Sequence, residues 1–521
     1  LNEKWIPYFH GGVYSPIFDH FPMVVRWSEN GSEVKKYVEE KVGSASRKVQ
    51  SESFYFQPGF VFARRTKGFA PKVMPSGGIF STAGQAGFFP EVGRLAAIAF
   101  LSSRVCSYLI SLSQGRTGDA AQYEVGLVKR LPWPSIPKST LEPLEARCRE
   151  IFSLKHEIAS TYETSPYFIG PGLVRFKDTM PKEAAESWAT RQRANCCRAN
   201  ELFEEIDAIA LEAYGLSEAD IQSSDEVSES IHSLDAPFGS QISKRAAVAD
   251  FVSYALGIAM GRWNYHNAAS QKSVTTPEPF TAFSHRSPGE LDGEIPDGYG
   301  ITVDSDGILV DDDSHADDIV RACQTVISLF WSNAAAAEQQ ICETLGVKTL
   351  REYFRKPTKG GFWDDTIGRY SQGRRKAPIY LLLQSERRSF AIWIYYQRLD
   401  RDTIFKAIKN YVDPKLNLLS DELRELQARS ETLKSESRDA KEVRKLERRI
   451  ESVEQFLNEV ESFGTKLRSV AELNLIPNLD DGVLLNVAPL HALCPWNAAT
   501  KHWNDLIAGK YLWSSVSQQL N

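Results

Sequence analysis

Arg64, Arg65 and Lys67 place two guanidinium forks and one ammonium at the end of a strand-like run over residues 54–65, just before Gly68. Side chains of this kind reach phosphate oxygens or the O6 and N7 edge of a guanine; the competing reading is a solvated loop. Gln85 lies in the small-residue segment 77–87, where its carboxamide can pair with an adenine or serve as a plain turn residue. Lys129 and Arg130 suit backbone phosphate and, equally, the negative end of a helix dipole. Arg374, Arg375 and Lys376 are the densest basic cluster of the back half, open to DNA backbone contact or to an internal ion-pair network.

No comparable set supports bond-making chemistry. Asp311-Asp312-Asp313 with His315 has the composition of a metal site, but aspartates favour helix N-termini, and a solvated turn capping a helix near Asp317 is the expectation. The chain holds no Gly-x-Ser-x-Gly elbow, Walker loop or HExxH string, and no carboxylate pair with a lysine on adjoining strands of the kind a nuclease needs. Seven cysteines, with only Cys196 and Cys197 adjacent and none in a CxxC pair, give neither a disulfide framework nor a zinc motif.

The elements that must position these side chains follow from pattern. At 521 residues, 42% apolar and 25% charged, the chain has material for several cores. The net charge of −6 hides an asymmetry: residues 1–140 hold 17 Lys/Arg against 10 Asp/Glu, the remainder 44 against 57. The basic, nucleic-acid-compatible part is the front. No apolar run reaches the roughly 18 residues of a spanning helix, and no secretion signal opens the chain, so the cytoplasm is the expected compartment and no membrane partner is implied.

Residues 1–92, with short alternating runs and breaks at Gly11-Gly12, Asn30-Gly31 and Gly77-Gly78, predict strands and turns. Leu95, Ile98, Leu101, Val105, Tyr108 and Leu112 predict one helix over 91–112, and Pro132-Trp133-Pro134 ends the segment. The fold class is α+β and multidomain: a mixed domain over 1–138, a helical spacer and linker over 139–240 with a long helix stopping at Gly215, a second mixed α/β domain over 241–411 with strands at 379–383 and 390–396, and a tail over 471–521. Between the last two, Leu416, Leu419, Leu423, Leu426 and Leu433, then Val443, Leu446, Ile450, Val453, Leu457 and Val460, mark two helical seams. They predict an antiparallel coiled-coil hairpin over 412–470 with a self-contained seam. Its 11 basic and 12 acidic groups over 421–468 suit solvated flanks. Trp5, Trp27, Trp133 and Trp393 are expected in cores.

The stretch Lys4-Trp5-Ile6-Pro7-Tyr8-Phe9-His10-Gly11-Gly12, leading to Val24-Val25-Arg26-Trp27, resembles the start of the target-recognition domain of PglX-like DNA methyltransferases, with His10 where that family is expected to carry Lys. Ala99 to Val105 and the Val128-Lys129-Arg130-Leu131-Pro132-Trp133-Pro134 exit are similar to the end of recognition domains in type I and type IIG restriction-modification enzymes. The likeness continues through Tyr214-Gly215-Leu216, Gly261-Arg262-Trp263, Gly307-Ile308-Leu309-Val310-Asp311-Asp312, Trp393-Ile394-Tyr395-Tyr396 and Gly509-Lys510-Tyr511-Leu512-Trp513. The resemblance implies adenine methylation of double-stranded DNA, with S-adenosylmethionine as donor, in BREX-like or DISARM-like phage defence.

Such an enzyme needs a glycine-bearing donor turn and an Asn/Asp-Pro-Pro-aromatic string. Neither occurs here, and Asp297-Gly298-Tyr299-Gly300 lacks a following helix. The expectation is therefore a recognition half without cofactor, metal or catalytic residues, inactive alone, whose partners are double-stranded DNA and an upstream catalytic domain. A chain opening at Leu1 fits that expectation. A protein-interaction scaffold docking other defence subunits is the alternative from a different class.

Overall fold

The computed structural model describes residues 4–66, 68–114, 122–222, 243–269, 275–293, 295, 299–303, 306–372, 375–436 and 440–520. Lys67, Arg374 and the polar segment 223–242 lie outside the described residues. The fold is mixed α+β and divides into two compact units: Leu1–Phe176 with Glu183–Ala247 and Tyr265–Glu290, and Lys177–Lys182 with Val248–Asn264 and Leu291–Asn521.

In the first unit, β1 (Trp5–Phe9) pairs antiparallel with β2 (Val24–Arg26) and parallel with β5 (Ile79–Phe80). A second sheet places β3 (Gly59–Ala63) between β4 (Lys72–Met74) and β6 (Gly84–Gly87), both antiparallel to it. The unbroken apolar sequence of β3 follows from burial on both faces. Phe60 and Phe62 enter the main core with Leu95, Ile98 and Phe69, while Val61 packs with Phe9, Phe21 and Met74. The helices Lys138–Ala159 and Pro181–Tyr214 supply Leu144, Ile151, Phe152, Leu202 and Ile206 to the same main core.

Two local expectations fail in this unit. The Asn30-Gly31 turn is present, with Glu29, Asn30 and Gly31 at φ of 49°, 58° and 72°, yet the chain leaves it as a helix that runs to Val42 and closes on left-handed Gly43. Val34 and Val38 carry the helical spacing there, and only Val34 packs on the Trp27–Tyr55 cluster, so the apolar signal was short. The helix expected over 91–112 is two helices, Arg94–Leu101 and Arg104–Gln114, bent by 64°. At the break serine hydroxyls add to main-chain hydrogen bonds that tighten the last turn, the Ser102 amide reaching both the Ile98 and Ala99 carbonyls. Ser102 Oγ donates to the Ile98 carbonyl at 2.8 Å, and Ser103 Oγ accepts from the Cys106 amide at 3.3 Å.

The second unit is built on an antiparallel sheet in which the strand Ala391–Tyr395 lies between Tyr380–Gln384 and Ile308–Val310, all three buried on both faces. Two strands predicted at 379–383 and 390–396 are these. Asp318 caps the helix Ile319–Phe330 by accepting from the Arg321 amide at 3.1 Å. The acidic run before it is not solvated as expected, because Asp311 and Asp312 are buried. Asp311 is paired with Arg351 and Arg355, and Asp312 with Lys415.

The long helices Asp413–Glu436 and Ala440–Glu472 pack on each other, with Arg449 and Glu422 at 2.6 Å. Their seam is not self-contained. Phe463 meets Phe390 edge-on, and Glu459 accepts from the Arg387 and Ser389 amides at 2.9 and 3.2 Å, fixing the turn between the strands Tyr380–Gln384 and Ala391–Tyr395. Residues beyond 471 form their own small core around Leu485, Leu506 and Val516. Trp27 and Trp393 are buried, but Trp5 and Trp133 are 39% and 47% exposed, against the expectation. No single helix among the described residues is long and apolar enough to cross a membrane.

Candidate nucleic-acid interface

The end of β3 is held by two other chain segments, at Ala83 and at Gln122–Tyr123. The Arg64 amide donates to the Ala83 carbonyl at 3.0 Å, and the Arg64 carbonyl accepts from the Tyr123 amide at 2.8 Å. Arg65 continues this pairing as an antiparallel bridge to Gln122. The backbone of both arginines is therefore fixed while their side chains remain exposed. Arg64 Nη2 lies 2.6 Å from Glu124, a pair about half in solvent. Glu124 leads into the short helix Val125–Val128, and Lys129 and Arg130 follow it, both exposed. Arg64, Arg65, Lys129 and Arg130 thus arrive on two segments joined by main-chain hydrogen bonds.

Gln85 behaves differently. It stands opposite Phe62 in β6 and shares that residue's face of the sheet. Its Oε1 is buried, with no hydrogen-bond partner among the described residues. In the second unit, Arg375 and Lys376 form a strand against Ser371 and Gln372, with Lys376 exposed.

Beneath the arginine edge lies a polar cluster that the sequence reading missed. Lys72, fully buried in β4, donates from Nζ to the Asp19 carboxylate and to the Gly11 carbonyl, the latter at 2.9 Å. Lys155, also buried, donates from Nζ to the Pro16 carbonyl at 2.6 Å and to Ser15 Oγ at 3.2 Å. Burial opposes ionisation of Asp19, but Lys72 and His20 carry its carboxyl below the ordinary range. Burial, with a smaller contribution from Lys72, brings the Lys155 ammonium down to about 7. The available signal was a charged residue inside an apolar run, Phe69-Ala70-Pro71-Lys72-Val73-Met74.

Among the described residues, no group of three or more His, Cys, Asp or Glu side chains is placed to hold a metal. The seven cysteines are unpaired and five are buried.

No protein-family profile matches the chain. Two curated relatives align along most of it. The adenine-specific methyltransferase PglX of Lacticaseibacillus casei (strain Zhang) is 23% identical over 510 residues, covering 94% of this chain and 39% of the relative. The adenine-specific methyltransferase BrxX of Escherichia coli O9:H4 (strain HS) is 24% identical over 513 residues, covering 93% of this chain and 39% of the relative. The chain thus spans well under half the length of these relatives.

Proposed function

We propose, from its likeness along most of its length to the adenine-specific methyltransferases PglX and BrxX, that this chain is the DNA-recognition part of a PglX-like adenine-specific methyltransferase acting in phage defence. In this reading residues 1–138 hold double-stranded DNA in the cytoplasm, and sequences outside these 521 residues bind S-adenosylmethionine and transfer the methyl group. Arg64 and Arg65 read base edges, Lys67, Lys129 and Arg130 contact phosphates, and Arg374, Arg375 and Lys376 supply further backbone contact. Gln85 contributes to base reading only by turning its amide out of the core face.

The carrying observation is the arginine edge itself. Two adjacent arginines have their backbones locked by Ala83, Gln122 and Tyr123 and their side chains exposed, in the part of the chain with a basic excess. A locked backbone with outward guanidinium groups lowers the ordering cost of a groove contact. The test is photocrosslinking of the full-length enzyme to a halouracil-substituted duplex, with the attached peptides identified by mass spectrometry. Peptides from 59–68 and 122–130 are expected. Attachment confined to residues outside 1–138 contradicts the reading.

A scaffold role has one observation of its own. Ile507, Leu512 and Trp513 of the second unit are each more than 60% exposed, which is unusual for large apolar side chains in a short segment and suits a protein partner. We read the paired long helices as the coiled-coil hairpin expected of 412–470, a further docking element for defence subunits. Recognition and scaffolding are compatible. If scaffolding were the whole function, the chain would show no sequence-preferring DNA binding at moderate salt.

A further inference from the structure

The loop joining β1 to β2 is pinned along its length. Ile17 exchanges main-chain hydrogen bonds with β4, its amide donating to the Pro71 carbonyl at 2.7 Å and its carbonyl accepting from Val73 at 2.9 Å. Gly12 has φ of +63°, and a Cβ there would stand 2.8 Å from Asp19 Oδ2 and 3.0 Å from Lys72 Nζ. The loop is therefore folded around the Asp19–Lys72 pair.

Its neighbour Gly11 faces the arginine edge. A Cβ on Gly11 would collide with Ala63 Cα and lie 2.6 Å from the Ala83 carbonyl oxygen. That same oxygen accepts the Arg64 amide. Lys72 Nζ holds the Gly11 carbonyl, so a displaced lysine transmits through Gly11 to the backbone that fixes Arg64 and Arg65. Two charges removed from water regain little net stability by pairing, compared with apolar residues of similar size. What the pair adds is direction, since each oxygen and proton fixes one partner in place.

Resting on the recognition reading above, we propose that Asp19 and Lys72 are positioning residues for DNA sequence preference, holding Gly11 against the strand end that carries Arg64 and Arg65. They touch no DNA. Their loss lowers discrimination between duplexes while leaving general phosphate affinity in place, a separation that a purely structural pair would not produce.

The experiment uses the full-length enzyme, a duplex carrying the adenine motif that the enzyme methylates in its host, and a scrambled duplex of equal composition. The variants are Asp19→Leu with Lys72→Met together, which removes both charges, and Gly11→Ala, which displaces the loop with both charges kept. For each, thermal melting and both dissociation constants are measured. The expected result is cooperative melting, affinity for the scrambled duplex within about twofold of the parent, and preference for the motif reduced by about tenfold or more. Parental preference in the double variant overturns the proposal. If the double variant does not fold, Asp19→Asn, which keeps the side chain's size and removes the charge that holds Lys72, decides: reduced preference with scrambled-duplex affinity kept supports the proposal and parental preference overturns it. Arg64→Ala and Arg65→Ala separate the two failures. If they leave preference intact, the recognition reading is at fault; if they abolish it while Asp19→Leu/Lys72→Met does not, only the positioning role falls.

Discussion

Arg64 Nη2 and the Glu124 carboxylate meet at 2.6 Å across 60 residues of sequence, with both side chains about half exposed. An ion pair this open to water contributes at most about 1 kcal/mol and is screened by salt. It can therefore be exchanged for a phosphate or a base edge. Glu124→Gln should tighten binding of the full-length enzyme to every duplex, more at low salt than at high, because an anion competing for Arg64 is removed. Binding isotherms at two salt concentrations check this, and unchanged or weaker binding counts against it.

Lys155 gives the first unit a pH dependence. Its ammonium is brought down to about 7 from the ordinary lysine value of 10.5 by burial, with Lys72 opposing it further. The unfolded chain therefore binds the proton more tightly than the folded one between these values, and this group's contribution to stability rises with pH from about 7 towards 10.5 and is lost below 7. The slope is bounded at about 1.4 kcal/mol per pH unit. Denaturant unfolding from pH 6.5 to 9 should show the rise, and Lys155→Met should flatten it. An identical slope in the variant contradicts the assignment.

In the second unit, Asp311 is buried between Arg351 and Arg355, with Arg351 also bidentate to Asp318 at 2.9 Å. Replacing the carboxylate by an amide of the same size takes the buried anion from Arg355 and leaves Arg351 with Asp318 alone, though both guanidinium groups retain some solvent. Asp311→Asn should cost about 3 kcal/mol, the low end for a broken buried pair. Denaturant unfolding measures it, and a change under about 0.5 kcal/mol, the range of ordinary surface substitutions, would show the network to be solvated.

Parts of this architecture were legible because they rest on repeated apolar spacing. The long helix ending at Gly215 and the strands Tyr380–Gln384 and Ala391–Tyr395 are of this kind. The helix following Gly31 was missed because Val34 alone anchors it, and the bend at Ser102-Ser103 because both helices keep one apolar period through it. Burial of Asp311, Asp312 and Lys72 depends on partners 40 to 103 residues away, which local pattern does not carry. For the same reason, basic residue types pointed to the arginine edge, while the ion pair under it went unseen.

The two strings that define an adenine methyltransferase are absent from the sequence. Calorimetry of the 521-residue chain with S-adenosylmethionine should show no binding heat. Micromolar binding would place a donor site in these residues and contradict the division proposed above.

The most direct test of DNA recognition by the front segment is a salt titration of the full-length enzyme and its Arg64→Ala/Arg65→Ala/Lys67→Ala variant on motif-bearing and scrambled duplexes. A base-reading arginine should cost about 1–3 kcal/mol on the motif and relax preference at one base pair. A phosphate-bound lysine should weaken both duplexes alike and lower the salt slope by about one unit. The account predicts both signatures together, whereas unchanged affinity, preference and salt slope would show that these residues form an ordinary solvated loop and that recognition lies elsewhere.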